Sequence, residues 1–308
     1  MNAVLLCPGQ GAQRVGMGKD LAERFSAARD VFLAVDDALG LSLTRLMWEG
    51  PEAELTLTHN AQPAILAHTL AALAVIREKL HLAAGAGHSL GEYSAYAAAG
   101  SLGVADAARL VRHRGELMLE ASKRRAGAMA AVLGIPSEAV VERCREASGS
   151  GVVVAANINA PDQTVISGDP EAVEHAGALC KAAGAKRVLS LKVSGAFHSP
   201  LMQPAADGLR AALESVLFGD PAFPVIANAT AEAVRTARDA LRLLARQLTA
   251  PVLWVDGMQA ATQISPGAVF VEAGPGTVLS GLLKRIVPEA KSVAIGSVAE
   301  ATRFLEAA

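Results

Sequence analysis

The chain has 308 residues, 52% hydrophobic and 19% charged, with 28 Lys and Arg against 30 Asp and Glu for a formal net charge of −2. With a mean hydropathy of +0.32, this is the composition of a globular chain long enough to bury a core without staples, and it excludes intrinsic disorder. The near-neutral balance lacks the basic footprint of a nucleic-acid binder, so no nucleic acid is expected as a partner.

Aromatic residues are 4% of the chain, which leaves the core to Ala, Val, Leu and Ile. The first element is a short apolar strand, Val4 to Cys7, stopped by the loop Pro8-Gly9-Gln10-Gly11. Two phosphate-binding patterns fail at this loop. A dinucleotide fingerprint needs Gly where Arg14 stands, and a P-loop begun at Gly11 needs Lys where Met17 stands. No basic stretch precedes the apolar residues, so no secretory leader is expected. Helical periodicity follows around Phe32, Val35 and Leu39, from Ala61 to Leu80, and from Ala105 to Leu119. The apolar run Ala64 to Ile76, containing His68 and Thr69, is too short to span a membrane and reads as a buried helix. His81 to Gly87 is a weak strand candidate.

From Gly127 the pattern changes. Ala128 to Leu133 is a strand, and a helix opens at Ser137 and reaches Ala147. Two β-branched runs, Val152 to Val154 and Thr164 to Ile166, flank a turn over Asn159-Ala160-Pro161-Asp162. A helix over Glu171 to Ala183 ends at Gly184, and Arg187 to Val193 alternates as a strand. The order βαββαβ is ferredoxin-like and predicts a small inserted domain over 127–193, with Lys123-Arg124-Arg125 as its entry linker. Beyond it, Ser199-Pro200 starts a helix to Leu217. Val225-Ile226 is a strand, Ala237 to Leu248 a helix, and Ala268 to Glu272 a strand. The Gly274-Pro275-Gly276 turn and a helix to Ile286 follow. The three cysteines, Cys7, Cys144 and Cys180, suit neither a disulfide framework nor a metal cluster, and point to a reduced, cytoplasmic setting without a metal.

Gly87-His88-Ser89-Leu90-Gly91 is a G-x-S-x-G, in which two glycines let a strand turn sharply into a helix with the serine exposed at the turn. Ser89 is then a nucleophile, and the Leu90 backbone N–H an oxyanion donor. Against this stands the segment before it, rich in Ala and Gly, which also fits an ordinary turn with an incidental serine. His198 lies between a strand and a helix start, either as a capping or loop histidine or as a general base that can reach Ser89. His81, His113 and His175 lie on polar positions, and His88 is expected to point away from Ser89 along its strand. No acid completes a triad, so a Ser–His dyad is expected, its imidazole oriented by a backbone or amide carbonyl. Arg114 shares a helix stripe with Leu110, Val111, Leu117 and Met118 and so is buried. It either pairs with an internal carboxylate or awaits a substrate carboxylate, which a guanidinium holds bidentately. Gln10, at the end of the first strand, either offers a second backbone N–H for the oxyanion or belongs to an ordinary Gly-flanked turn.

Taken together, these residues resemble the malonyl-CoA:acyl carrier protein transacylases of type II fatty-acid synthesis. The matching stretches are Pro8-Gly9-Gln10-Gly11-Ala12-Gln13, Gly87-His88-Ser89-Leu90-Gly91-Glu92 and Gly195-Ala196-Phe197-His198-Ser199. Asn157-Ile158-Asn159-Ala160-Pro161, Gln247-Leu248 ahead of Pro251-Val252, and Gly274-Pro275-Gly276 match as well, in family order along nearly the whole chain. The resemblance implies an α/β fold: an α/β-hydrolase-like catalytic domain over 1–126 and 194–308, carrying the ferredoxin-like domain over 127–193. It implies Ser89 as nucleophile, His198 as base, Arg114 on the malonyl carboxylate, and the Gln10 and Leu90 amides as oxyanion hole. Gln247 matches the residue whose carbonyl orients the histidine, Asn159 a residue near substrate, and Phe197 the malonyl-selecting version of the motif beside the base. His88 is carried with these as a supporting residue. The reaction implied is ping-pong transfer of malonyl from malonyl-CoA to the phosphopantetheine thiol of an acyl carrier protein, with no bound cofactor; no membrane partner and a monomer are expected beside it. The alternatives are the same chemistry serving a polyketide synthase or a malonate decarboxylase, a serine thioesterase or esterase, and a non-catalytic carrier-binding module.

Overall fold

In the computed structural model, which describes residues 1–193 and 195–307, ten strands form two sheets. They are β1 (Asn2–Cys7), β2 (His81–Gly87), β3 (Ala128–Leu133), β4 (Val153–Ala160), β5 (Gln163–Gly168), β6 (Arg187–Ser190), β7 (Val225–Ile226), β8 (Ala233–Val234), β9 (Val269–Ala273) and β10 (Ser292–Ile295). The larger sheet runs β10-β9-β1-β2-β7-β8, parallel throughout except for the antiparallel β7–β8 pair. β1 lies at its centre, and Ala3 to Cys7 are completely buried, as expected of an apolar run covered on both faces.

β2 forms although its sequence is poor in β-branched residues, because strand formation follows context more than propensity. Its small side chains are what the packing requires. A Cβ on Gly87 would lie 1.9 Å from the carbonyl of Gly91, in the helix Gly91–Ala98 that follows. The helix Thr58–Ile76 is apolar all round and buried along nearly its whole length, so it is a core element rather than an amphipathic one. Pro63 within it cannot donate to the His59 carbonyl, and Arg112 Nη1 donates there instead at 3.3 Å.

The smaller sheet is antiparallel, in the order β4-β5-β3-β6, and the helices Ser137–Ala147 and Pro170–Ala182 close its core. A parallel bridge joins it to the rest of the chain: Ile158 N donates to Val252 O at 2.9 Å, and Val252 N to Ala156 O at 2.8 Å. Arg285, from the helix Val278–Ile286, also reaches Asp162 and Gln163 at its β4–β5 hairpin.

Several boundaries differ from the sequence reading. Lys123 and Arg124 form the last turn of the helix Val104–Arg124 and not a linker, and Arg125 forks onto Asp169 at 2.8 and 3.0 Å. β4 continues through Asn159 and Ala160, which leaves Pro161-Asp162 as the turn. The last strand of the small sheet stops at Ser190. Ser199 accepts from Leu201 N at 3.3 Å and caps one 3₁₀ turn, after which the helix Gln203–Glu214 ends before Leu217. β8, β10 and the helices Trp254–Ile264 and Val298–Ala307 carried no sequence signal. All three cysteines are free and buried. Among the described residues no helix is long and apolar enough to cross a membrane, and no cluster of three His, Cys, Asp or Glu is placed to hold a metal.

Candidate active site

β1 and β2 are parallel neighbours, so Gln10 and Ser89 emerge together beyond their carboxyl ends, where open α/β sheets bind ligands. A cavity of about 530 Å³ opens there, floored by Gln10, His88 and Ser89 and roofed by Asn157, Asn159 and Val165 of the small sheet. Ser89 has φ 52° and His198 φ 56°, left-handed conformations that non-glycine residues adopt only when the surroundings impose them. At Ser89 the surroundings are visible. A Cβ on Gly91 would lie 2.1 Å from the Cys7 carbonyl, so only glycine lets the elbow close on β1. The buried Asn228 then clamps the turn from behind: its Oδ1 accepts from Ser89 N at 2.7 Å, and its Nδ2 donates to Gly87 O at 2.7 Å.

Ser89 Oγ lies 2.7 Å from His198 Nε2. On the other side of the ring, Nδ1 lies 3.0 Å from Gln247 O and 3.3 Å from Ala250 O. Both neighbours are carbonyls, which only accept, so Nδ1 carries the proton and Nε2 accepts from the Ser89 hydroxyl. Among the described residues no carboxylate meets the imidazole. Burial, and secondarily the charge of Arg114, lower the His198 pKa to about 3, so the ring is neutral at pH 7.

Arg114 is 1% exposed. The internal salt bridge weighed for it is absent: among the described residues no carboxylate lies within 4.0 Å of its guanidinium. Nη1 donates instead to Gln62 Oε1 at 2.7 Å, and Nη2 to Gln247 Oε1 and Ser89 Oγ, both at 3.0 Å. Burial lowers its pKa from the usual value, against the nearby Tyr93 and Glu92. Gln247 completes the ring, its Nε2 donating to Ser89 O at 3.0 Å and to Glu92 Oε2 at 2.6 Å. Burial raises the Glu92 carboxyl to about 7, against the hydrogen bonds from Gln247 and Asn228 and the charge of Arg114.

Of the remaining sequence candidates, Gln10, His88, Asn159 and Phe197 line the same cavity. His88 points away from Ser89, its Nε2 lying 2.8 Å from Asn159 Oδ1, and Phe197 is buried beside His198. Gln10 is exposed, with its Nε2 donating to Thr58 Oγ1 at 3.2 Å. Among the described residues neither the Gln10 nor the Leu90 backbone N–H donates a hydrogen bond within the chain. Three residues of the network escaped the sequence reading: Gln62, Glu92 and Asn228. Each carried one weak signal. Gln62 and Glu92 are polar within apolar helical runs, and Asn228 follows directly on the β7 strand.

A neutral imidazole on a strained serine, with free backbone amides nearby, is equipment for covalent acyl transfer, and the chain is an acyltransferase of the α/β class. The family model described as acyl transferase domain matches residues 4–302, and the chain belongs to that family, among its malonyl CoA-acyl carrier protein transacylases. It is 43% identical over 298 residues to the malonyl CoA-acyl carrier protein transacylase of Haemophilus influenzae, covering 96% of this chain and 95% of that one. It is 44% identical over 293 residues to the enzyme of the same name from Bacillus subtilis, covering 94% and 92%. Among solved structures it is similar, with a TM-score of 0.95 and 42% identity over 100% and 99% of the two chains, to a malonyl-transacylase in complex with its type II polyketide synthase acyl-carrier protein.

Proposed function

We propose that this chain transfers malonyl from malonyl-CoA to the phosphopantetheine thiol of an acyl carrier protein through a malonyl-Ser89 ester. The observation that carries the reading is the guanidinium of Arg114, buried with no carboxylate within 4.0 Å among the described residues and 3.0 Å from the Ser89 hydroxyl. A desolvated guanidinium costs several kcal/mol unless paired, and an acyl group ending in a carboxylate supplies the missing partner.

In the forward half-reaction His198 Nε2 takes the Ser89 proton as Oγ attacks the thioester carbonyl. The backbone amides of Gln10 and Leu90 receive the oxyanion, each such donor being worth about 3 kcal/mol. The carbonyls of Gln247 and Ala250 hold the imidazole and stabilise the imidazolium that forms. His198 then protonates the departing CoA thiolate. In the second half-reaction it deprotonates the carrier's thiol, which attacks the ester and restores Ser89. Asn159, held by His88, faces the donor from the roof of the cavity. Phe197 fills the space that an α-methyl group on the malonyl unit would need. No bound cofactor enters any step.

We assign the six-stranded unit, 1–126 and 194–308, as an α/β-hydrolase-like catalytic domain and 127–193 as a ferredoxin-like domain. The order β4-β5-β3-β6 and its two helices support the second assignment. Three buried, unpaired thiols support a cytoplasmic setting. Carriers of polyketide assembly are the second reading of the acceptor, favoured by the likeness to the transacylase in complex with such a carrier.

The deciding experiment is intact mass after brief exposure to malonyl-CoA without carrier, beside Ser89→Ala. A malonyl adduct on the wild type alone is the expected result. Consumption of malonyl-CoA with no adduct points to hydrolysis instead, and an adduct that persists in Ser89→Ala overturns the assignment of the nucleophile.

A further inference from the structure

A guanidinium carries five N–H donors, and those of Arg114 are unevenly used. Nη1 donates to Gln62 Oε1, and both hydrogens of Nη2 are engaged, by Gln247 Oε1 and Ser89 Oγ. Nε is buried and has no partner among the described residues. A carboxylate gripped by a guanidinium takes two parallel N–H bonds from one edge of the fork. The two usable edges are Nε with Nη2 and Nη1 with Nη2, so Nη2 belongs to both. An incoming carboxylate must therefore displace an acceptor from Nη2.

The two acceptors are held very differently. The Gln247 amide is pinned on its far side by Ser89 O at 3.0 Å and Glu92 Oε2 at 2.6 Å. Ser89 Oγ swings about one bond and has His198 as an alternative partner at 2.7 Å. The serine is thus the acceptor that yields. While it remains, a charge-assisted hydrogen bond from Arg114 occupies an Oγ lone pair and withdraws the electron density that attack requires.

We infer that the substrate's own carboxylate releases the nucleophile: in taking Nη2 of Arg114 it removes that hydrogen bond from Ser89 Oγ. The inference rests on the malonyl reading above and deepens it. Arg114 then discriminates twice, by gripping malonyl and by restraining Ser89 whenever the donor carries no carboxylate. An acetyl group meets a serine still bonded to the guanidinium.

The test splits malonyl into two pieces. Acetyl-CoA supplies the acyl carbonyl and formate the carboxylate, and transfer of acetyl to a phosphopantetheine thiol is followed as formate is raised. A charged hydrogen bond of this kind predicts a saturable gain of roughly tenfold. Chloride at equal ionic strength gives no gain, and malonyl-CoA, which brings its own carboxylate, gains nothing from formate. In Arg114→Met acetyl transfer exceeds the wild-type rate without formate and no longer responds to it. An acetyl rate flat in formate overturns the inference, as does an equal gain with chloride or in Arg114→Met. Should Arg114→Met fail to fold, the wild-type titration with its chloride control decides alone. Failure of the malonyl reading is seen separately, as the absence of an adduct with malonyl-CoA itself.

Discussion

Asn228 touches no reacting atom, yet the elbow hangs on it. Asn228→Ala removes two hydrogen bonds at once and takes from Ser89 N and Gly87 O the partners it supplies. Each orphaned buried group costs about 1–3 kcal/mol, so the variant should lose about 2–6 kcal/mol. With an unfolding entropy of about 2.1 cal/mol/K per residue, a chain of this length shifts its melting temperature by about 3–9 °C for that loss. The catalytic effect adds to the structural one. Freed of its clamp, Ser89 relaxes from its φ of 52°, and Oγ leaves the 2.7 Å contact with His198. A displacement of about 1 Å there lowers kcat about a hundredfold. Asn228→Asp separates the two bonds, because a carboxylate still accepts from Ser89 N but offers Gly87 O no donor. The assay pairs a thermal melt with the rate of malonyl-Ser89 formation by rapid quench and mass analysis. Asn228→Ala melting within about 1 °C of the wild type, or acylating Ser89 within about threefold of its rate, would refute the clamp.

Three further outcomes follow from the same geometry. The His198 pKa in the fold, about 3, lies below its ordinary 6.5, so between these values the unfolded chain binds the extra proton. Stability carried by this residue is present above pH 6.5 and is lost as the pH falls towards 3, and denaturant melts at pH 7.5 and 5.0 should show a smaller difference in His198→Gln than in wild type. The neutral base likewise gives acylation no acid limb above pH 5, so a limb near pH 7 would belong to Glu92 and should vanish in Glu92→Gln. Gly91→Ala sets a methyl 2.1 Å from the Cys7 carbonyl, which backbone must move to relieve. We expect a loss of about 3 kcal/mol or more in a denaturant melt, with no malonyl adduct on the folded fraction.

The hydrogen-bonded pair Ser89 and His198 was legible because it sits at element ends, where local chain signals are strongest. Gly87, Ser89 and Gly91 mark a turn, and Ser199-Pro200 marks the helix start just beyond His198. Arg114 was legible for a different reason: a charge on an apolar helix stripe contradicts its surroundings, and such contradictions mark sites. The small sheet was legible in order because each of its elements carries its own periodicity, although β4 ran past the Asn159 that the sequence assigned to a turn. β2 was the weak point. Its Ala and Gly residues depress strand propensity, and they are small because the elbow helix packs directly on its end. The feature that obscured the strand is therefore the one the tight turn at Ser89 requires.

What the sequence hid lies behind the reacting atoms. Gln62, Glu92 and Asn228 come from three separate segments and join Gln247 only in the fold, where their weak local signals meet. Gln247 joins three tasks in one residue: its carbonyl holds His198, its Oε1 holds Arg114, and its Nε2 ties both to the elbow carbonyl and Glu92. His198, Arg114 and Ser89 are therefore not independent parts. A perturbation at any one of them reaches the others through at most two hydrogen bonds, so substitutions within this ring should combine non-additively, while pairs outside contact distance should add.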